Sequence, residues 1–295
     1  MAFDFPIYSP EERIVHPYLT DKAVEVFVKR DDKIHPFISG NKWRKLQYPL
    51  LDARTRGYKQ IVTFGGAWSN HLLATAAAAA QFGFEAHAFV RGEKVDNAVL
   101  GMCQLFGMNL IFVDRTSYKD KVQLFQNHFS NEDAYFIDEG GKSTLGMKGC
   151  AAMIGELQQQ YDYIAVAAGT GTTAAGMKTG IDQEKLSSIL QVFPVLKLGD
   201  SLQDDFKNWG ISPTSLEIQQ EYHANGYAKV NEALIQFIQQ FTQETGILIE
   251  PTYTGKLCFG VFDLISKGHY PEGSKILIVH TGGLTGLLGH LKHFQ

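Results

Sequence analysis

Short apolar runs alternate with helix-like stretches through most of the chain, and this alternation limits the fold more than any other feature. The runs at 61–64, 85–90, 109–113, 163–168, 189–194 and 275–280 are only a few residues long. Runs of that kind predict strands buried on both faces. The segments 71–82, 95–106, 117–129, 144–160 and 231–245 read as the helices between them. Strand and helix in succession predict an α/β fold with parallel sheets and flanking helices. Functional groups in that class gather at the carboxyl ends of the strands. A chain of 295 residues is long enough for about two domains.

Composition removes several function classes. With 44% hydrophobic and 20% charged residues, the chain is expected to be an ordinary soluble globular protein. A net charge of −4 without a basic block leaves no electrostatic footprint for nucleic acid. Asp4, Glu11, Glu12 and Arg13 interrupt the N-terminal segment, so no secretory signal is read there. The most apolar stretch, 72–82, is too short to span a bilayer, and the expected compartment is the cytoplasm. Cys103, Cys150 and Cys258 are far apart and odd in number, which fits neither a disulfide framework nor a paired-cysteine metal or redox motif. Each reads as a small buried hydrophobe. The histidines show no metal-ligand spacing, so no metal site is expected.

Six segments bear on chemistry. Ser39-Gly40-Asn41-Lys42-Trp43-Arg44-Lys45-Leu46 sets two lysines and an arginine just after a glycine turn. Neighbouring cations disfavour a charged lysine, so the Lys42 amine can become a nucleophile near neutral pH. Alone, the segment reads more simply as a solvated basic helix start; the remaining segments reverse that preference. The strand at 163–168 runs into Gly169-Thr170-Gly171-Thr172-Thr173-Ala174, where backbone N–H groups, hydroxyls and a helix N-terminus converge as a phosphate dianion requires. The same loop satisfies the GxGxxA pattern of dinucleotide sites. The next strand ends Gln191-Val192-Phe193-Pro194 with no ribose-binding carboxylate, which favours a monophosphate over a dinucleotide, and either over a structural turn. Gly65-Gly66-Ala67-Trp68-Ser69-Asn70-His71 reads both as a helix cap and as a second anion site for a substrate carboxylate. Pro251-Thr252-Tyr253-Thr254-Gly255-Lys256, His280-Thr281-Gly282-Gly283 and Gly226-Tyr227 are weak singly. Gly140-Gly141 is a hinge or, more simply, a tight turn.

Taken in order, these motifs resemble the fold-type II pyridoxal-phosphate enzymes, which are built like the tryptophan synthase β subunit. More narrowly, they are similar to the family of 1-aminocyclopropane-1-carboxylate deaminase and D-cysteine desulfhydrase. The likeness runs from about Phe27 to Gly286. It implies pyridoxal 5'-phosphate as cofactor, with Lys42 carrying it as a Schiff base, Arg44 and Lys45 lowering the basicity of Lys42, and Lys45 reaching toward the phosphate. By the same resemblance Asn70 bonds the cofactor's phenolic oxygen, Ser69 lies beside the substrate carboxylate, and Gly169, Thr170, Gly171, Thr172 and Thr173 form the phosphate cup. Tyr227 and Tyr253 match the two active-site tyrosines.

Two positions separate the family's activities. The deaminases carry Glu after the tyrosine of the PxYxGK segment and Leu after the histidine of HxGG, whereas the desulfhydrases carry hydroxyl residues. Here they are Thr254 and Thr281. A hydroxyl beside the pyridine nitrogen makes a weaker electron sink than a carboxylate does, and expulsion of a β-thiolate can manage with it. The resemblance therefore implies β-elimination from a small amino acid such as D-cysteine, with ring-opening deamination as the alternative and a non-catalytic cofactor-binding protein as the alternative from another class. Leu72 and Leu73 stand where the family commonly has an arginine, and Trp68 beside Ser69 narrows the site. The expected architecture is a large domain from 1–45 and 151–295 with a smaller α/β domain, 46–150, inserted, and a homodimer is expected by resemblance.

Overall fold

In the computed structural model, which describes residues 3–129, 133–197 and 201–295, two sheets organise the chain. The larger has six strands in the order β1 (Glu11–Ile14), β2 (Glu25–Lys29), β10 (Lys275–Val279), β7 (Tyr163–Ala168), β8 (Ile189–Pro194) and β9 (Leu216–Ile218). Only the edge pair β1–β2 is antiparallel. The smaller sheet is wholly parallel, in the order β5 (Asn109–Val113), β4 (Glu85–Arg91), β3 (Gln60–Gly66) and β6 (Ala134–Phe136). The flanking helices are α1 (Pro17–Asp21), α2 (Asn41–Thr55), α3 (Asn70–Phe82), α4 (Ala98–Leu105), α5 (Lys121–His128), α6 (Thr144–Ala151), α7 (Thr172–Gln183), α8 (Ser201–Asn208), α9 (Glu232–Thr245) and α10 (Thr254–Ser266).

All six strands expected from the apolar runs are present, and β1, β2, β6 and β9 are additional. The expected helices form with trimmed ends. Asn97 and Asp120 accept the N–H groups of Leu100 and Gln123, which starts α4 and α5 later than the apolar pattern does. The segment 144–160 is not one helix: α6 stops at Ala151 and a short 3₁₀ turn, Ile154–Glu156, follows. That break turns Glu156 back to meet Arg44.

The period-2 geometry of a strand gives the large sheet two dry faces. Ala165, Ala167, Phe193 and Ile278 pack under α9 and α10, while Ile164, Val166, Val192 and Leu277 pack under α7 and α8. Helices α2, α6 and α7 meet nearly backbone to backbone, since a Cβ on Gly149 would lie 1.7 Å from the Arg44 carbonyl oxygen and one on Gly176 would lie 2.4 Å from that of Met147. Only glycine permits that approach. It draws the N-terminal ends of α2 and α7 toward one cleft.

A buried ion network fixes α2 against β2. Arg44 is fully buried, and its guanidinium donates to both Asp31 oxygens at 2.9 and 2.8 Å and to Glu156 at 2.9 Å. Burial weakens the charged form of Arg44, but the facing carboxylates outweigh it and raise its pKa. Removing one partner of such a set strands the others in a low-dielectric interior. Arg44→Ala is therefore expected to destabilise the protein by about 3–5 kcal/mol in chemical denaturation.

Candidate active site

The site is built around the turn that precedes α2. Gly40 has φ +60° and ψ −138°, its N–H donates to the Asp31 carbonyl at 3.0 Å, and the N–H of Asn41 donates to the Thr281 carbonyl at 3.3 Å. The Lys42 Nζ donates to Asn41 Oδ1 at 2.7 Å, and Asn41 Nδ2 donates to Thr173 Oγ1 at 2.9 Å. The lysine is thus tied through one amide to the start of α7.

Burial is the main force on the Lys42 amine, and the nearby Lys45 cation adds to it; together they lower the pKa from 10.5 to about 7. Glu250 and Cys150 oppose the shift. Arg44 takes no part, contrary to the expectation that it lowers the basicity of Lys42, because its guanidinium turns away to Asp31 and Glu156. Lys45 is buried, with its own pKa lowered by desolvation, and its Nζ donates to the Gly140 carbonyl at 3.1 Å. Gly140, at φ +67°, belongs to a single 3₁₀ turn, Glu139–Gly141.

Lys42 opens onto a cavity of about 580 Å³, within the range in which proteins enclose a cofactor-sized ligand. Of the residues singled out in the sequence, Lys42, Lys45, Ser69, Asn70, Gly169, Thr170, Gly171, Thr173, Tyr227 and Tyr253 line it. Thr172, Thr254 and Thr281 lie behind its wall. The Thr172 hydroxyl pairs with that of Thr170 at 3.1 Å. The Thr254 hydroxyl accepts the Glu250 N–H at 2.9 Å. Thr281 is buried against Gly40.

The capping pattern marks where an anion fits. Ser69, Asn97, Asp120, Ser143 and Asn231 each cap their helices through a side chain. At α7 the N-cap is Gly171, in the left-handed region with φ +77°, and no side chain caps the helix. Its first-turn N–H groups and dipole therefore face the cavity. A Cβ on Gly169 would lie 3.2 Å from the Tyr253 hydroxyl, so this cup is kept shallow by glycine.

On the facing wall, Ser69 Oγ accepts the Leu72 N–H at 3.3 Å, while Asn70 Oδ1 accepts the Thr285 hydroxyl at 2.9 Å. His71 bonds Thr63 Oγ1 through Nε2 at 2.9 Å and has no partner on its buried Nδ1. Burial, with Lys42 and Lys45 nearby, holds its pKa well below 6.5, so it is neutral at pH 7. Tyr253 and Tyr227 meet edge to face at 6.0 Å, and the Lys42 Nζ lies 5.9 Å from the Tyr253 ring centre. Burial foremost, then Tyr227, keeps the Tyr253 hydroxyl protonated far above neutrality. An amine of lowered basicity, an uncapped helix end, an unpartnered His71 nitrogen and a glycine cup together fit a pyridoxal-phosphate-sized ligand. Among the described residues no group of three or more His, Cys, Asp or Glu is placed to hold a metal ion.

The motif reading passed over several residues. Glu250 is fully buried, and its carboxylate accepts the N–H groups of Thr252, Tyr253 and Thr254 at 2.7, 2.6 and 2.9 Å. An acid four residues before a helix start was the available signal. Arg91 ends β4, Arg115 follows β5, and both line the cavity with Glu139. Cations just past parallel strands were the signal there.

An α/β scaffold that sets a buried lysine amine, its pKa lowered to about 7, beside an open helix N-terminus fits the class of enzymes that hold a carbonyl cofactor on a lysine. The chain belongs to the pyridoxal-phosphate dependent enzyme family, which matches residues 16–282, and it has the fold-type II architecture. It is 31% identical, over 90% of its length and 86% of the other's, to a Pyrococcus horikoshii protein provisionally named 1-aminocyclopropane-1-carboxylate deaminase. It is 29% identical, over 94% of its length and 92% of the other's, to D-cysteine desulfhydrase of Klebsiella pneumoniae. A solved structure described as an ACC deaminase homologue superposes with a TM-score of 0.85 at 26% identity, covering 99% of this chain and 94% of that one.

Because Lys42 loses its proton at about pH 7, cofactor-free protein is expected to take up pyridoxal phosphate at a rate that rises through pH 7 and falls as the amine protonates below it. Stopped-flow absorbance checks the midpoint. Borohydride followed by peptide mass mapping is expected to find the label on Lys42, and Lys42→Ala to abolish it.

Proposed function

We propose that this enzyme carries out β-elimination on a small amino acid in the manner of a D-cysteine desulfhydrase, giving pyruvate, sulfide and ammonia from D-cysteine. The observation that carries the reading is the buried Lys42 amine, its pKa lowered to about 7, standing 5.9 Å from the ring of the protonated Tyr253 in the cavity wall. Bound there, pyridoxal phosphate supplies an electron sink for charge developing at the substrate's Cα. Gly169, Thr170, Gly171 and Thr173, with the backbone N–H of Thr172 at the start of α7 and with Lys45, hold its phosphate, and Asn70 holds its ring oxygen. Ser69 and the start of α3 receive the substrate carboxylate. Lys42 takes the α-proton, the thiolate leaves Cβ with the bonding electron pair, and the released enamine hydrolyses. Tyr253, with Tyr227 at 6.0 Å, supplies a proton donor near the leaving group.

Thr254 and Thr281 support elimination over ring opening, because neither is the carboxylate or apolar residue of the deaminases. Glu250 does not stand in for that carboxylate, since both its oxygens are engaged by backbone N–H groups. The same reading includes a cytoplasmic homodimer and an inserted domain at 46–150. Confinement of β3 to β6 within that span supports the insertion; the other two rest on likeness to the family.

Sulfide and pyruvate from D-cysteine are expected to exceed 2-oxobutanoate from 1-aminocyclopropane-1-carboxylate in side-by-side assays of the holoenzyme. The reverse order would transfer the reading to the deaminase. Tyr253→Phe is expected to lower kcat by about 10²–10⁴-fold while cofactor absorbance is kept.

A further inference from the structure

Two cationic side chains in the cavity have no place in the chemistry above. Arg91 and Arg115 stand at the carboxyl edge of the small sheet, where Arg91 closes β4 in register with Val113 of β5 and Arg115 follows two residues later. A Cβ on Gly66 would lie 3.7 Å from the Arg91 Nη2, so the guanidinium sits over the turn that leads to Ser69. The Tyr118 ring supports it at 5.4 Å.

The other arginines are all engaged. Arg13 pairs with Glu25, Arg30 with Asp32, Arg44 with Asp31 and Arg56 with Asp52, and Arg54 donates to the Phe82 carbonyl. Among the arginines, all of which lie in the described residues, only Arg91 and Arg115, both exposed, have no hydrogen-bond or ion-pair partner. Glu139 lines the same cavity and is held by Lys121 at 3.1 Å, a cation it shares with Asp138 at 3.0 Å, rather than by either arginine. The cofactor phosphate is served by α7 and Lys45, and the α-carboxylate by α3 and Ser69, so neither anion calls for these two guanidiniums.

We propose that the site takes amino acids whose β-substituent carries its own negative charge, such as a phosphate ester or a sulfonate, with Arg91 and Arg115 binding that group. The inference rests on the elimination reading and names its substrate class. Planar guanidinium forks match such oxyanions. The reaction balances as before: the α-proton goes to Lys42, the bond from Cβ to the substituent breaks, and the pair leaves on the anion. Water then converts the enamine to pyruvate and ammonia. For O-phosphoserine the products are phosphate, pyruvate and ammonia, with one water consumed.

The test uses holoenzyme with both enantiomers of O-phosphoserine and of serine, which differ only in the charged group. Dissociation constants read from the rapid first absorbance change on mixing, before turnover, are expected to favour the phosphate ester by roughly 10- to 100-fold, as for charge-assisted hydrogen bonds to one group. Arg91→Gln and Arg115→Gln should each cut that ratio about 5- to 10-fold. Added salt should cut it in the wild type without any substitution. Equal affinities in the wild type, or variants that weaken serine and O-phosphoserine alike, overturn the inference; the second result would assign the arginines to the shared carboxylate. A D-cysteine assay for sulfide on the same holoenzyme separates the two readings. Sulfide release without the phosphate preference defeats this inference alone. The preference without sulfide or pyruvate from any of these amino acids supports the anion site and defeats the elimination reading.

Discussion

The active site depends on one close backbone contact, between Gly40 and Thr281. A Cβ on Gly40 would lie 1.9 Å from the Thr281 carbonyl oxygen, so any other residue there would force apart the two loops that leave β2 and β10. These strands are parallel neighbours, and both loops emerge at the same carboxyl edge. With the contact made, Thr281 accepts the Asn41 N–H and α2 starts directly over the sheet edge. Lys42, its second residue, is then carried into the wall of the cavity.

That position explains why desolvation, rather than charge repulsion, is the larger influence on Lys42. In sequence three cations share four positions, and repulsion looks like the main device. A helix sends residues two apart to different faces, however, and Arg44 leaves on the side facing Asp31. There it serves folding, by tying α2 to the end of β2. Only Lys45, one turn along from Lys42, stays near enough to act on the amine. The cavity amine and the structural cation are therefore separated by helical geometry within three residues.

The central elements were legible because strands buried on both faces leave uninterrupted apolar runs such as Tyr163–Ala168, and those strands carry the site at their carboxyl ends. The edges were not. Strand β1 reads EERI and pairs on one side only, while β6 and β9 are three residues each, too short to show a period. Within the site, glycine turns and helix starts were legible because backbone geometry demands particular residues there. Side-chain direction was not: Thr172 and Thr173 are adjacent, yet one faces the cavity and the other packs behind it. Arg91 and Arg115 belong to no glycine turn, and only the pairing of β4 with β5 brings them together.

Glu250 links the large sheet's architecture to the chemistry of the tyrosine. Its carboxylate is fully buried, and burial pushes its pKa up, against the pull of the three N–H groups it accepts. Those N–H groups open α10 and would otherwise have no partner, because Tyr253, at the N-cap, offers no side-chain acceptor. With Glu250 taking over the capping, Tyr253 is free to turn its ring toward Lys42 and its hydroxyl toward Gly169. A capping Ser or Asp at position 253 would satisfy the helix but leave no phenol in the cavity. The acid before the proline thus allows a helix terminus to turn a phenol into the cavity in place of a cap.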